Sequence, residues 1–292
     1  MKNVAASNRA KLLNLSRKTG QSFQELVQYF AMSRFLYRLA VSEVSQDFIL
    51  KGAMLLHARN VAKARSTLDI DLLGYMDNSP EALRKAVEQI IGQDVDDDGI
   101  VFLPETIEVS EITRDAGYVG RRVNFRAMLG KIKIPMQIDV GVGDNVIPEP
   151  ILIDTPSLLD YPSAKLRGYA FETSIAEKAH VMLKLELLNS RMKDFYDIWL
   201  LSNQAKVDEK LLVDALVGTF TMRDTSISLD SIIFTEAFIS DPDKQMQWKA
   251  FCGKRAIKDA PEQFADVAGE VLAFLKPSLE KARKTMEGPG KS

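Results

Sequence analysis

The sequence of 292 residues is poor in cysteine and histidine. Its single thiol, Cys252, cannot form a disulfide within the chain, so nothing indicates an oxidising compartment. His57 and His180 are not at the spacing of a metal-ligand pair, which excludes histidine-rich zinc chemistry from our expectations. The chain also lacks a signal-peptide pattern and any apolar run of membrane-spanning length. We therefore expect a cytoplasmic protein that does not enter a membrane.

Several well-known catalytic motifs are missing as well. No G-x-S-x-G segment marks a nucleophilic serine, and no G-x-x-x-x-G-K-[ST] segment marks a Walker loop. The glycines of "GVGD" at 141–144 form too short a pattern for a dinucleotide-binding fingerprint. Carboxylates and basic side chains remain as the groups able to carry chemistry.

The charge is small overall but unevenly distributed. The net charge is −2, yet residues 94–111 contain seven acids and no base, while residues 112–133 contain six bases and one acid. A solvated loop followed by a polar hairpin explains this pattern, and a basic ridge for phosphates explains it equally well. In the second interpretation Arg121, Arg122 and Arg126 are candidates for RNA binding.

Hydrophobic periodicity predicts an α+β fold with two lobes. A capping-box pattern at Ser22 and a helical apolar stripe predict a helix from 23 to about 43, and residues 81–91 also read as helical. Period-two alternation in "VNFRAML" and "KIPMQIDVGV", on either side of Gly130, predicts a β-hairpin. The proline-bearing stretch 147–162 suggests a boundary, after which the chain reads almost entirely as helix. We predict a small mixed-sheet core lobe with N-terminal helices in residues 1–160 and a helical lobe in 161–292.

Two acids set two residues apart provide the first chemical signal. If "RSTLDIDLL" at 65–73 is a strand, Asp69 and Asp71 share one face of it, and Asp139 on the later strand is a possible third carboxylate. Two charges about 5 Å apart repel by roughly 3 kcal/mol at an effective dielectric near 20, so such a cluster favours a cation. Mg²⁺ is the natural partner, because it takes carboxylate and phosphate oxygens together. A wet acidic strand face is the alternative.

Two further segments place charges on predicted helices. A capping-box pattern at Ser174 predicts that a helix begins at this residue. Lys178 falls within the apolar stripe of that helix. The lysine either snorkels to solvent or reaches into a cleft to hold phosphate. In "NSRMKDFYDIWLL" at 189–201, Asp194 and Asp197 stand in the first turns of a helix, where end-capping is the simpler explanation.

These segments, in their order along the chain, resemble the AbiEii-like toxins of type IV toxin–antitoxin systems, a branch of the DNA polymerase β-type nucleotidyltransferases. The resemblance covers roughly residues 20–205. Five blocks carry it: "FILKGAMLL" at 48–56, "RSTLDIDLL" at 65–73, "MQIDVGVGDNVIP" at 136–148, "SIAEKAHVMLKL" at 174–185 and "RMKDFYDIWLL" at 191–201.

The resemblance implies a role for most of the candidate residues. Asp69 and Asp71 would hold Mg²⁺, or Mn²⁺ in its place, while Asp139 would bind the metal or shape the site. Gly52 and its neighbours would form the turn around the triphosphate, although Ala53 stands where the family usually has a second glycine or a serine. Lys178 and Asp194 would belong to the catalytic set. The implied nucleotide-binding residues are Lys51, Gly52, Ala53, Arg65, Lys178 and Lys193.

The resemblance also implies a reaction and partners. The chain would be a toxin that transfers a nucleoside monophosphate from an NTP to the 3′ end of tRNA and so blocks translation, with a DNA-binding antitoxin encoded nearby. Three alternatives stay open: transfer to a protein hydroxyl, a non-catalytic protein that binds a nucleotide or a partner, and a metal-dependent phosphohydrolase.

Overall fold

The structure is a computed structural model that describes residues 3–114, 118–142, 146–255 and 257–288. The chain forms two compact units, which are described one at a time below. The sheet unit comprises Met1–Arg59, Ser66–Gly143 and Ile151–Gly168, and the helical unit comprises Asn60–Arg65, Asp144–Pro150 and Tyr169–Ser292. This division differs from the one predicted at 160/161, because the strand at Ala164–Gly168 completes the sheet and two short earlier segments join the helical unit.

The sheet unit contains seven strands in the order β3-β4-β5-β2-β1-β7-β6. The strands are β1 (Phe48–Lys51), β2 (Ile70–Gly74), β3 (Ile100–Arg114), β4 (Tyr118–Leu129), β5 (Ile132–Val142), β6 (Ile151–Thr155) and β7 (Ala164–Gly168). Strand β2 runs parallel to β5 and antiparallel to β1, so the sheet is mixed. The predicted hairpin is confirmed as β4 and β5, and β3 extends it to three antiparallel strands.

Among the described residues, four α-helices belong to the sheet unit: α1 (Val4–Thr19), α2 (Phe23–Val41), α3 (Gly52–Ala58) and α4 (Pro80–Ile91). Helix α2 matches the predicted helix, but Ser22 makes no side-chain capping bond. Helix α2 packs on β5 and β7, and α4 packs on β3 and β4. Alternate residues of the hairpin, such as Phe125 and Ile138, are buried against these helices. The helices therefore cover one face of these strands, and period-two alternation follows from that one-sided burial.

The helical unit contains α5 (Phe171–Leu185), α6 (Met192–Gln204), α7 (Glu209–Met222), α8 (Glu236–Ile239), α9 (Pro242–Lys254) and α10 (Phe264–Glu287). Helix α10 packs on α6, α7 and α9, and α5 packs on α6 and α7. The prediction of a helical C-terminal region is confirmed, and the short strand β7 precedes its first helix. No helix in the described part of the chain is both long and apolar enough to cross a membrane.

Candidate active site

A row of charged residues crosses four strands of the sheet unit. The strand register places Lys51 opposite Asp71, Asp71 opposite Asp139, and Asp139 opposite Arg122. Side chains of directly opposed residues stand on the same face of a sheet, so these four form what we call the carboxylate row. Helices α2 and α4 cover the other face of these strands, on which Ile138 and Val123 are buried. Along the row, the side chains are therefore a cation, two acids and a second cation.

Asp69 joins the row from just outside the sheet. We predicted that it lies on the strand, but β2 begins at Ile70, and Leu68, expected on the buried face, is 59 % exposed. The hydroxyl of Thr67 donates a hydrogen bond to Oδ1 of Asp69 and so fixes its carboxylate. Both Asp69 and Asp71 are half-buried, which leaves their oxygens accessible to a ligand.

The turn between β1 and α3 lies directly against the second acid. Gly52 has a φ of +68°, and a Cβ added there would be 2.7 Å from Cγ of Asp71. Only glycine fits this position, because a side chain would be strained and would displace the carboxylate. Ala53, the residue that departs from the family pattern, is buried in α3 and offers no hydroxyl. Lys51 is buried, with its Nζ 3.6 Å from the Cβ position of Gly141.

Arg122 and Asp139 form a bidentate pair at the end of the row. Nε and Nη2 of Arg122 donate to the two Asp139 oxygens, each at 2.8 Å. The hydrogen bond to Asp139, together with the negative charges of Asp139, Asp69 and Asp71, holds the pKa of Arg122 above its ordinary value. The guanidinium thus partly neutralises three carboxylates. With both oxygens engaged by Arg122, Asp139 suits a role in shaping the site, and metal binding by it stays a prediction.

The donor chemistry of this site suits a divalent cation. Two adjacent, half-exposed carboxylates match the way proteins hold Mg²⁺, which takes one or two carboxylates and completes its shell with water and substrate phosphate. Among the residues that the structure describes, no three histidine, cysteine or acidic side chains are grouped as a closed metal site. Asp69 and Asp71 would therefore hold the ion with substrate oxygens as further ligands. A bound ion would neutralise charge on the phosphates.

The helical unit carries its own charged group, which we call the ion-pair cluster: Arg65, Lys178, Arg191, Asp194 and Asp197. Nζ of Lys178 lies 2.9 Å from Oδ1 of Asp194 and 3.0 Å from Oδ2 of Asp197. Arg65 donates to both oxygens of Asp197 at 3.0 and 3.2 Å, and Nε of Arg191 donates to Asp194 at 2.6 Å. Both acids are fully buried.

Burial and neighbouring charge oppose each other in this cluster. Burial alone would raise the pKa of Asp194 and Asp197, but the surrounding cations outweigh it and lower the pKa of both carboxyls. Burial likewise would lower the pKa of Lys178, yet the two carboxylates raise it. Lys193 differs: burial, and then the charge of Arg191, lowers its pKa. The cluster is therefore fully ionised at neutral pH.

The cluster explains why a lysine interrupts the apolar stripe of α5. Lys178 does not snorkel to solvent, because its ammonium group contacts two buried carboxylates of α6. The predicted capping role of Ser174 is wrong: α5 begins at Phe171, and the buried Ser174 hydroxyl has no hydrogen-bond partner among the described residues. Counting Lys193, four cations face two acids, so the group retains positive charge.

The three arginines predicted to bind RNA have different surroundings in the structure. Arg121 donates to Glu111 at 2.9 Å and to the Asn78 carbonyl at 3.1 Å, and Arg122 is paired with Asp139. Arg126 is exposed on the open face of β4. Residues 115–117 of the basic segment, and 143–145 of the block at 136–148, lie outside the described residues.

Two interactions were not predicted from the sequence: the ion pair of Asp197 with Arg65 and the hydrogen bond from Thr67 to Asp69. Asp197 was noted only as a helix-end acid, because its bidentate partner Arg65 is distant in sequence. Its spacing of three from Asp194 on one helix was the available signal, since residues three apart lie on the same helix face.

Comparison with known proteins gives a consistent result. Residues 34–270 match the model of the family described as nucleotidyl transferase AbiEii toxin, type IV TA system. The solved structure of JHP933 from Helicobacter pylori is 18% identical with a TM-score of 0.51, covering 91% of this chain and 94% of that one. A chain from H. pylori assigned as a nucleotidyltransferase is 17% identical with a TM-score of 0.49, covering 91% and 98%. No curated protein matches.

At these identities, the likeness to JHP933 shows the fold alone. The family match is stronger evidence, because it spans most of the chain and includes the carboxylate row and the ion-pair cluster. The chain belongs to the AbiEii family of nucleotidyltransferase toxins of type IV toxin–antitoxin systems.

Proposed function

We propose that this protein transfers a nucleoside monophosphate from an NTP to RNA, at the 3′ acceptor end of tRNA, with Mg²⁺ or Mn²⁺, and so blocks translation. The observation that carries the proposal is the carboxylate row with Gly52 packed against Asp71. Accessible acids beside a turn that tolerates only glycine are suited to a cation and the phosphates it accompanies. A DNA-binding antitoxin encoded nearby is the proposed partner.

Within this proposal each residue of the row has its own task. Asp69 and Asp71 hold the metal ion, and the Thr67 hydroxyl keeps Asp69 in position. Lys51 and the turn at Gly52 and Ala53 offer positive charge and backbone amides to the triphosphate. Arg122 and Asp139 set the charge at the other end of the row.

The ion-pair cluster supplies phosphate binding in the same proposal. Lys178, Lys193 and Arg65 are the residues proposed to contact the nucleotide phosphates. Asp194, although predicted to be catalytic, is fully buried and engaged by Lys178 and Arg191, so we propose that it positions these cations. Excess positive charge in a largely buried setting suits an anion with several oxygens.

The direct test is to incubate the protein with Mg²⁺, total RNA and each α-labelled NTP in turn. We expect label in RNA of tRNA size, and its loss after chelation of the metal. Asp69→Asn should reduce transfer by about 10³-fold, because a lost metal contact removes several kcal/mol of charge stabilisation and 1.36 kcal/mol is tenfold. Asp154→Asn, an exposed acid on β6, is the matched control and should retain activity.

Three results would contradict the proposal, each in a different way. Label in protein bands and not in RNA would identify a protein hydroxyl as acceptor. Release of inorganic phosphate with no labelled acceptor would indicate a phosphohydrolase. Toxicity that persists in the Asp69→Asn variant would indicate a non-catalytic binding protein.

A further inference from the structure

The open face of the sheet continues past the carboxylate row along β4 and β5. In register, Arg122 opposes Asp139, Asn124 opposes Gln137, Arg126 opposes Pro135, and Met128 opposes Lys133. We call these four pairs the open-face ladder. Its side chains stand on the face opposite the buried residues of the same strands, which are Val123, Phe125, Ala127, Ile134, Met136 and Ile138. Every rung of the ladder thus carries at least one polar side chain, from the acids to the hairpin turn at Gly130.

The chemistry of the ladder changes from rung to rung. The first rung is the Arg122–Asp139 pair, whose charges cancel. The second rung consists of two half-buried amides, and Nε2 of Gln137 donates to Oδ1 of Asp139 at 3.4 Å. The third and fourth rungs each present one exposed cation, Arg126 and Lys133. Within the described ranges, neither cation has a carboxylate partner.

The spacing of these cations argues against service to the donor nucleotide. At about 3.4 Å per residue, Arg126 lies roughly 14 Å along the strands from Asp139, and Lys133 lies roughly 20 Å from it. The phosphates of a single nucleotide lie together, so phosphates held at the carboxylates do not extend to these cations. A chain with a phosphate at each of several successive nucleotides does, and its charge complements the two cations.

The two amides of the second rung, Asn124 and Gln137, indicate whether that chain is single-stranded or paired. Asn and Gln side chains donate and accept hydrogen bonds at once, as the Watson–Crick edges of bases require. Those edges are available only in unpaired nucleotides, and proteins read RNA mainly through single-stranded ends and loops. Glu108, exposed on β3, stands opposite Asn124 and so places its negative charge at the amide rung.

We infer that the open-face ladder binds the single-stranded 3′ end of the acceptor RNA. The terminal nucleotide lies at the carboxylates, the amides of Asn124 and Gln137 contact the adjoining bases, and Arg126 and Lys133 contact phosphates further from the end. This inference rests on the proposed function and specifies which surface receives its acceptor. It also narrows the predicted basic ridge, because Arg121 and Arg122 are engaged by acids of the protein itself.

Charge reversal with a matched control tests the ladder. The test variant is Arg126→Glu with Lys133→Glu. The control is Lys85→Glu with Lys165→Glu, which makes the same change in charge at exposed positions on α4 and β7. In transfer assays we expect the test variant to raise the KM for RNA at least tenfold and to leave the KM for NTP within twofold. The control should behave as the wild type.

Direct binding provides a readout that does not need transfer. The probe is a 5′-labelled 12-nucleotide single-stranded RNA, compared with a blunt-ended RNA hairpin, and Kd is measured over a salt series. Loss of two phosphate contacts should lower the slope of log Kd against log salt by about 1.4, at 0.7 per phosphate of a single strand. The milder pair Arg126→Ala with Lys133→Ala should show the same slope change, so a folding defect of the reversal variant cannot imitate the result.

The outcomes separate this inference from the function on which it rests. Equal RNA affinity in test and control variants, with transfer intact, overturns the ladder and leaves the proposed function standing. Tighter binding of the blunt hairpin than of the single strand also overturns it. If the wild type labels no RNA, the proposed function fails, and the ladder is then judged on the binding series alone. Loss of binding confined to the test variants supports it, and binding equal to that of the control overturns it.

Discussion

The sheet unit and the helical unit both place two acids among cations, but they treat those acids differently. Asp69 and Asp71 are half-buried, in a row that has a cation at each end. Asp194 and Asp197 are fully buried, and Lys178, Arg65 and Arg191 occupy their oxygens. The first pair is arranged to accept a ligand from outside. The second pair is satisfied by the protein and serves to hold its cations in place.

Sequence spacing alone therefore does not distinguish acids that are open to a ligand from acids whose oxygens are occupied by cations of the protein itself. Exposure and the identity of the partner decide which one is present. Removing a charge should therefore have opposite effects in the two units: loss of activity with the fold intact in one, and loss of the fold in the other.

The largest effect on stability should come from Asp197→Asn. Breaking a buried ion pair by removing one partner leaves the remaining charges without compensation, which costs about 3–5 kcal/mol. Asp71→Asn should lower the free energy of unfolding much less, because Asp71 is half-buried and is opposed to a second acid, Asp139, as well as to Lys51. Urea denaturation of both variants measures the contrast. Asp214→Asn, at an exposed acid of α7, is the control, and equal losses at Asp71 and Asp197 would break the comparison.

The next effect is a dependence of stability on pH that arises from His180. Nδ1 of this buried residue is 3.0 Å from Nη1 of Arg223, and Nε2 is 3.0 Å from Oγ1 of Thr225. Because an arginine only donates, Nδ1 must accept and the ring must be neutral. Burial, aided by the positive charge of Arg223, lowers the pKa of His180 from 6.5 to about 4.

The direction of the pH effect follows from that lowered pKa. Below pH 6.5 the unfolded chain binds a proton that the folded chain refuses, so stability falls as the pH drops from 6.5 to about 4. At about 1.4 kcal/mol for each pKa unit, the loss is at most about 3.4 kcal/mol. In His180→Gln this part of the pH dependence should disappear, whereas His57→Gln should retain it. The lowered pKa of Asp194 and Asp197 places their own loss at lower pH.

A smaller effect on stability than that of Asp197→Asn, but a clear effect on activity, should come from Gly52→Ala. A left-handed conformation costs an alanine about 1–2 kcal/mol. The added methyl group would also push Asp71 aside, and misplacement of a catalytic group by about 1 Å can cost about 100-fold in rate. Gly20→Ala is the matched control, because Gly20 has a φ of +74° and nothing within 4 Å of its Cβ position. It should lose similar stability and keep full activity.

Much of the fold was predictable because one-sided burial leaves a clear mark on a sequence. Alternation in β4 and β5 and the 3.6-residue stripe of α2 both reflect it, and both predictions are confirmed. The start of β2 was not predictable in this way. Leu68 continues the alternation in the sequence, yet the pairing with β5 begins only at Ile70, and pairing is a non-local property.

Residues of the candidate site were likewise predictable where the signal is local and not predictable where it depends on distant partners. Asp69, Asp71 and Gly52 could be found because a short segment contains each feature, and the ordered blocks supported them. The functions of Asp139 and Asp197 depend on arginines far away in the chain, Arg122 and Arg65. No local pattern in the sequence records which arginine pairs with which acid. The open-face ladder was likewise invisible, because it depends on the register between two strands.

The strand order also has a consequence for synthesis of the protein on the ribosome. Strand β2, which carries Asp71, pairs with β5, and β1, which carries Lys51, pairs with β7, whose last residue is Gly168. A nascent chain that has emerged only as far as β4 contains Asp69, Asp71 and β1, but it lacks β5, the other neighbour of β2, and β7, the other neighbour of β1. Translation products that end before β5 therefore cannot assemble the carboxylate row. The surface on which the proposed transfer depends is thus completed only late in translation.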